Sequence, residues 1–400
     1  MNLLYTLTAY PPYIGGAQLH QHLLAQQLKS HHQIQVCSHW DYNRTDWLLG
    51  TTLRAPSQSR DYAIDEIPVH RMGLSWREKL RMAPWLPLYY PWMSVALPAM
   101  AQPLIQNLQP FAQEAALIHN VRIGREGLSY ASWRVAQQRQ IPFVLTPVHH
   151  PRWVGWRYQQ YIRLYQLADA VITLTEVEKQ TLITLGVRQE RIAVTGMGPI
   201  LAPQADAAAF LQTHQITGPM VLFLGQHYRY KGYQQVLHAA NLVWQKVPDA
   251  HFVFIGPAVK QSERDFQNTD PRIHRLGKVD IQEKTNALAA CTLLCVPSTQ
   301  ESFGGVYTEA WNFAKPVIGC AIPAVAEVIE DGVNGYLVEQ GSIQIARRIW
   351  DLLRNPATAE ELGLAGQRKV EGRYTWQQIA TRTERVYEQV LSGAEVGHDE

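Results

Sequence analysis

Leu293-Leu-Cys-Val-Pro-Ser-Thr-Gln-Glu301-Ser-Phe-Gly-Gly305-Val-Tyr-Thr-Glu309-Ala-Trp-Asn-Phe-Ala-Lys-Pro316-Val-Ile-Gly-Cys320 is the stretch on which the fold turns. Its first residues, Leu293–Pro297, form an apolar run of strand length, short enough to be buried whole. A polar loop ending in two adjacent glycines follows, then a helical pattern over Val306–Phe313, then a second apolar run, Pro316–Cys320. Strand, glycine turn, helix and strand make a βαβ unit, and βαβ units build parallel sheets.

The same rhythm extends in both directions. Upstream, Met220–Gly225, His251–Gly256 and Ile273–Leu276 read as strands, with helices over Tyr233–Gln245 and Gln282–Ala290. In the first half, Leu3–Thr8, Gln33–Ser38, Ala116–His119, Pro142–Thr146 and Ala170–Thr175 are strand candidates. Ala17–Lys29 carries Leu19, Leu23, Leu24 and Leu28 at helical spacing. Thr195–Pro203 has the Gly/Pro punctuation of a linker. The expected fold is therefore α/β, with two Rossmann-like domains, 1–200 and 201–375. Residues 376–400 form a closing amphipathic helix, returning to the first domain, and a tail. Two such domains face each other across a cleft at the carboxyl ends of their strands, where open α/β sheets bind ligands.

Composition narrows the function. Hydrophobic residues make up 46% of the 400 and charged residues 18%, which suits a globular chain too long for one ordinary core. Lys plus Arg number 36 against 34 for Asp plus Glu, without the basic excess of a nucleic-acid binder. The four cysteines are too scattered for a disulfide framework and lack metal-ligand spacing, so they read as buried thiols. The amino terminus has no basic region of a signal peptide, which favours the cytoplasm. From Met82 to Gln113 there is no charge, and the segment is rich in Trp, Tyr, Leu and Met but broken by six prolines. It suits a buried wall of the first domain. With Arg77, Lys79 and Arg81 just before it, contact with the inner face of a membrane is the second reading.

The chemistry should lie in the turns after strands. Gly304 and Gly305, at a helix start, let backbone N–H groups approach an anion, and a helix N-terminus favours phosphate. Glu309, within that helix, could accept two hydrogen bonds from a ribose diol, while Glu301 on the loop faces the other side of the phosphates. Solvated glutamates on a capped helix would explain an isolated pair at this spacing, but not the grammar around it.

With those residues in view, Glu301 to Glu309 followed by Ala310-Trp-Asn-Phe-Ala-Lys-Pro-Val-Ile-Gly319 resembles the E-x7-E signature of retaining, GT-B-fold glycosyltransferases of family 4. Tyr10-Pro-Pro-Tyr-Ile-Gly15-Gly16-Ala17 is similar to the family's amino-terminal glycine loop. Val221–Gly225 through Lys231-Gly232 is similar to its phosphate-binding segment, and Asp331–Val338 and Tyr374-Thr-Trp376 to its later punctuation. The resemblance covers nearly the whole chain. It implies that Glu301 contacts donor-sugar hydroxyls and Glu309 the ribose, and that Phe303, Gly304 and Gly305 offer backbone amides. Gly15 and Gly16 would approach the diphosphate and Lys231 would neutralise it. The family usually has Arg after the strand glycine, where this chain has Gln226; Arg229 is the natural replacement. In Pro142–Pro151 the strand-end histidine of the family aligns with His149 or His150, with His149 preferred. His119, Arg122 and His150 would line the acceptor side, with Arg122 and Arg125 suited to an acidic acceptor.

The resemblance thus implies a metal-independent, hexosyltransferase-like enzyme of polysaccharide biosynthesis. It would move a sugar from a nucleotide donor, UDP- or GDP-linked, to a glycan or lipid-linked acceptor, with no separate cofactor. Retention would come from the leaving phosphate assisting the incoming hydroxyl on the same face, since no residue reads as a nucleophile. The rivals are a nucleotide-sugar epimerase of the same fold and a non-catalytic nucleotide-sugar-binding assembly subunit.

Overall fold

A computed structural model describes residues 1–12, 15–42, 45, 47–122, 124–125, 127–150 and 153–396. Tyr13 and Ile14 of the amino-terminal glycine loop, Pro151 of the strand-end histidine segment and the last four residues of the tail lie outside them. The chain divides into two units, Met1–Gly196 together with the segment from Trp376, and Met197–Thr375.

Among the described residues the first unit is built on eight strands: β1 (Asn2–Leu7), β2 (Gln33–Ser38), β3 (Arg60–Ile64), β4 (Ile67–Arg71), β5 (Leu117–Val121), β6 (Phe143–Thr146), β7 (Ala170–Thr173) and β8 (Ile192–Val194). Their order is β3-β4-β2-β1-β5-β6-β7-β8. Every pairing is parallel except β3 with β4, an edge hairpin. Its turn is Asp65-Glu66, both at positive φ, the geometry of a tight hairpin connection. Strands β1, β5, β6 and β7 are almost fully buried and mainly apolar, with His119 and Asn120 the polar pair inside β5, as a parallel sheet covered on both faces requires.

The second unit carries β9 (Met220–Leu224), β10 (His251–Ile255), β11 (Ile273–Gly277), β12 (Leu293–Val296), β13 (Val317–Cys320) and β14 (Tyr336–Val338), all parallel. Their order, β11-β10-β9-β12-β13-β14, is that of a doubly wound sheet. In each sheet the first strand lies inside and the chain winds outward one way, then the other. The direction reverses between β1 and β5 and between β9 and β12, so the loops after these four strands are where ligands gather.

The helix Trp376–Ser392 belongs to the first unit. Its buried Ile379, Ala380, Val386 and Tyr387 join the core around β1. The Tyr387 hydroxyl lies 3.0 Å from that of Tyr5 and 2.6 Å from His119 Nδ1, and Glu384 reaches His32 at 2.6 Å.

The uncharged Met82–Gln113 segment contributes one face to the core and leaves the rest half-buried or exposed. Helix Met93–Leu108 contains Pro98 and Pro103 yet buries Leu97, Met100, Leu104 and Leu108. The exposed apolar side chains lie further upstream than the sequence suggests: Trp76 and Leu80 stand out with Trp92 and Val95. No helix among the described residues is long and apolar enough to cross a membrane. All four cysteines are free and buried.

Candidate active site

In the second unit, the loop after β9 leads through the short turn Arg229–Lys231 to Gly232, which caps the helix Tyr233–Val243. Gly232 sits at φ +83°, and a Cβ there would meet Pro297 at 2.7 Å. Only glycine lets this turn approach the neighbouring strand exit so closely. The two loops are also stitched by hydrogen bonds. Gln340 Nε2 donates to Tyr230 O at 2.9 Å and to Pro297 O at 2.7 Å, and Thr299 N donates to Tyr230 O at 2.8 Å.

This stitching brings Lys231 and Glu301 together. Lys231 Nζ lies 2.5 Å from Glu301 Oε1, with the side chains 20% and 13% exposed. A partly buried ammonium and carboxylate at the reversal point of a doubly wound sheet can share a diphosphate and a hydroxylated ring between them. Beyond Glu301, Phe303 is buried against Tyr374, ring centroids 5.2 Å apart, and fixes the loop from below. Gly304 caps the helix Gly305–Trp311 at φ +85°, where a Cβ would strike the Tyr307 ring at 2.4 Å.

Glu309 is 4% exposed on the buried face of that helix. Its Oε1 accepts from Lys284 Nζ at 2.8 Å, and Lys284 also donates to Ile200 O at 2.6 Å. Burial raises the Glu309 carboxyl, and the Lys284 charge pulls it back. Oε2 is buried and has no hydrogen-bond partner. Lys284 gave no signal in the sequence: it lies on a polar helix, Ile281–Ala290, and only the tertiary fold delivers it.

Arg229 does not join this group. It is exposed, and its Nε donates at 3.0 Å to Gln261, whose amide oxygen faces the guanidinium. Gln261 follows β10 and Glu301 follows β12, on opposite flanks of β9. As a substitute for the missing charge at Gln226, Arg229 therefore points to the wrong flank.

The first unit's residues sort differently from their sequence assignment. Gly15 caps the helix Gly16–Leu28 in extended conformation, and Gly16 has open space where a Cβ would stand. His119 lies within β5, 1% exposed, with Nδ1 bonded to Tyr387 and Nε2 to Thr146 Oγ1 at 2.8 Å. It pins the closing helix to the sheet and does not line an acceptor surface, because the strand runs two residues further than the apolar pattern indicated. His149 is 3% exposed and edge-on to Tyr165; burial, then the Arg122 charge, hold its pKa down at about 4. His150, half-buried, lines an open pocket of about 310 Å³ with Arg122 and Trp153. Of the two histidines, His149 is the more deeply buried.

The chain has the GT-B fold of glycosyltransferases. Residues 15–198 match the family model described as glycosyl transferase 4-like domain, and residues 218–355 the one described as glycosyl transferases group 1. A phosphatidyl-myo-inositol mannosyltransferase of Mycobacterium leprae is 34% identical over 184 residues, 45% of this chain and 49% of that protein. A D-inositol 3-phosphate glycosyltransferase of Kribbella flavida is 26% identical over 245 residues, 56% of this chain and 57% of that one. The chain thus spans about half the length of the curated relatives it matches. Solved structures extend the likeness of fold to the whole chain. Anabaena HepE, determined with UDP and glucose, has a TM-score of 0.73 at 19% identity over 97% of this chain and 100% of that one. Sucrose-phosphate synthase of Thermosynechococcus elongatus has 0.74 at 20%, over 98% of this chain and 100% of that one.

Proposed function

We propose that this chain transfers a hexosyl group from a nucleotide diphosphate sugar, UDP- or GDP-linked, to a glycan or lipid-linked acceptor, with retention of configuration and without a metal. The observation that carries this reading is the Lys231–Glu301 pair at 2.5 Å beside the glycine-started helix of Glu309. An incoming diphosphate draws the Lys231 ammonium to itself, because a departing nucleoside diphosphate concentrates negative charge as the glycosidic bond breaks. Glu301, relieved of its counter-ion, turns to the hydroxyls of the transferred sugar. Backbone N–H groups at Gly304 and Gly305 and the positive end of their helix hold the phosphates. Glu309, held by Lys284, presents its second oxygen to the ribose. No carboxylate pair stands ready for a covalent intermediate in this scheme; the leaving phosphate takes the proton of the acceptor hydroxyl on the same face. A glycan-assembly role at the inner membrane surface fits the exposed Trp76, Leu80, Trp92 and Val95, flanked by Arg77 and Arg81.

The test is donor turnover by the purified chain across UDP-, GDP- and ADP-sugars, with and without EDTA. Release of nucleoside diphosphate unaffected by EDTA is expected, with the product sugar in the donor's anomeric form. An epimerised nucleotide sugar from donor alone would instead identify an epimerase. An inverted product would refute the mechanism.

A further inference from the structure

We propose that the pocket of the first unit around Arg122 binds a phosphate-type oxyanion carried by the acceptor, an assignment that rests on the transfer reading above. The pocket encloses about 310 Å³ and its wall includes Ala17, Arg122, Arg125, His150, Trp153 and Tyr161. Arg122 follows β5 at the reversal point of the first sheet and is only 3% exposed. Its guanidinium carbon stands 4.0 Å from the Trp153 ring centroid and 4.3 Å from that of Tyr161. Nε donates to Pro147 O at 3.1 Å and Nη1 to Gly124 O at 3.5 Å, while Nη2 has no hydrogen-bond partner.

No described carboxylate pairs with Arg122. A guanidinium taken out of water without a counter-ion is unfavourable, and two ring faces and two carbonyls offset that only in part. The charge is felt locally: after burial, it is what keeps the adjacent His149 imidazole neutral. A second, independent feature points the same way. Ala17, in the first turn of the 13-residue helix Gly16–Leu28, is also on the wall, and that helix has no side-chain cap. Its uncapped N–H groups and positive end therefore favour an anion in the same place. Val148, on the same wall, is a β-branched residue at φ +45°, a strained conformation of the kind that persists at binding sites. The lysine placed to meet a donor diphosphate, Lys231, belongs to the other unit. On this assignment the donor diphosphate falls to Lys231 and the Arg122 pocket to the acceptor, and saturating UDP decides between the two. Planar, fixed guanidinium donors suit a phosphate better than a neutral hydroxyl.

Calorimetric titration of inorganic pyrophosphate into the full chain saturated with UDP tests this. The expected result is residual pyrophosphate binding that Arg122→Gln weakens about tenfold or more, the loss typical of a charge-assisted contact. Arg122→Lys should retain part of it. Because Arg122→Gln removes a buried packing element, His150→Glu provides the second arm: it gives up the edge-on His150–Trp153 contact, 4.6 Å between centroids, but keeps Arg122 between Trp153 and Tyr161 and sets a carboxylate on the wall. It should weaken pyrophosphate comparably. Pyrophosphate binding that vanishes once UDP is saturating, or that neither variant changes, overturns the proposal. So does loss of UDP affinity in Arg122→Gln, which would give the pocket to the donor. Should wild type fail to bind UDP, the donor reading falls by itself, and the pyrophosphate arm, run without UDP, still judges the pocket.

Discussion

At the scale of single residues, the Lys231–Glu301 pair makes a prediction with opposite signs for its two members. Lys231→Ala removes the positive charge that meets the diphosphate, so UDP affinity falls and kcat/KM drops by about 10²- to 10³-fold, the usual loss for one charge-stabilising donor. Glu301→Gln keeps the shape but frees the ammonium from its counter-ion, so turnover falls while UDP affinity holds or rises. Parallel loss of UDP affinity in both variants, by calorimetry, would show that Glu301 binds the nucleotide and not the sugar. Gly304 provides a second case. An alanine there meets the Tyr307 ring and adopts a left-handed backbone, at a cost of about 1–3 kcal/mol. Gly305→Ala meets only the movable Met197 side chain, at 3.1 Å, and should be tolerated in a melting experiment. A comparable loss of melting temperature in the two would contradict this account of the turn.

At the scale of elements, the closing helix is held to the first sheet by a buried relay, Tyr5–Tyr387–His119–Thr146. Tyr387→Phe leaves His119 Nδ1 without its partner inside the core and should cost about 1–3 kcal/mol. Chemical denaturation that shows no loss would mean the helix is kept in place by its apolar face alone. This helix was legible in the sequence because its apolar residues recur at helical spacing, and the central strands because a doubly wound sheet buries them as unbroken apolar runs. Other elements hid for physical reasons. The hairpin β3–β4 is a half-exposed edge whose Arg60, Asp61 and Asp65 mask the alternation, and helix Met93–Leu108 is disguised by its two prolines. The candidate site was legible where chemistry is local in sequence, as at Lys231-Gly232 and Glu301–Gly305. It was not legible where a partner arrives from elsewhere, as Lys284 does for Glu309. The histidines divide the same way: His119 and His149 are both buried, which spacing in the sequence does not reveal.

At the scale of the whole molecule, those inward histidines set how the protein meets acid. His20, His39 and His149 are held down at about 4, His119 at about 3, and burial is the leading cause at each. All four belong to the first unit; in the second, His227, enclosed by Tyr233 and Phe266, is also at about 4, and burial lowers His251 and His274 as well. An imidazole with a folded pKa below its unfolded value binds fewer protons in the native state. Stability is therefore unaffected above the unfolded value near 6.5, falls as the pH drops from there to the folded value, and levels off below it. Within that window each such group contributes a slope of about 1.4 kcal/mol per pH unit, so the four deeply buried imidazoles of the first unit outweigh those of the second, where His227 is joined by the partly buried His251 and His274. Glu309 widens the difference, because a carboxyl raised by burial makes the second unit relatively more stable as acid protonates it. Scanning calorimetry from pH 7 toward 4 should therefore show the first unit's transition moving down ahead of the second's. Replacing His119 with Gln, which keeps hydrogen-bonding capacity but cannot take up a proton, should flatten that drift. Two transitions that shift together, or a His119→Gln variant as acid-sensitive as wild type, would place the acid sensitivity in groups other than these imidazoles.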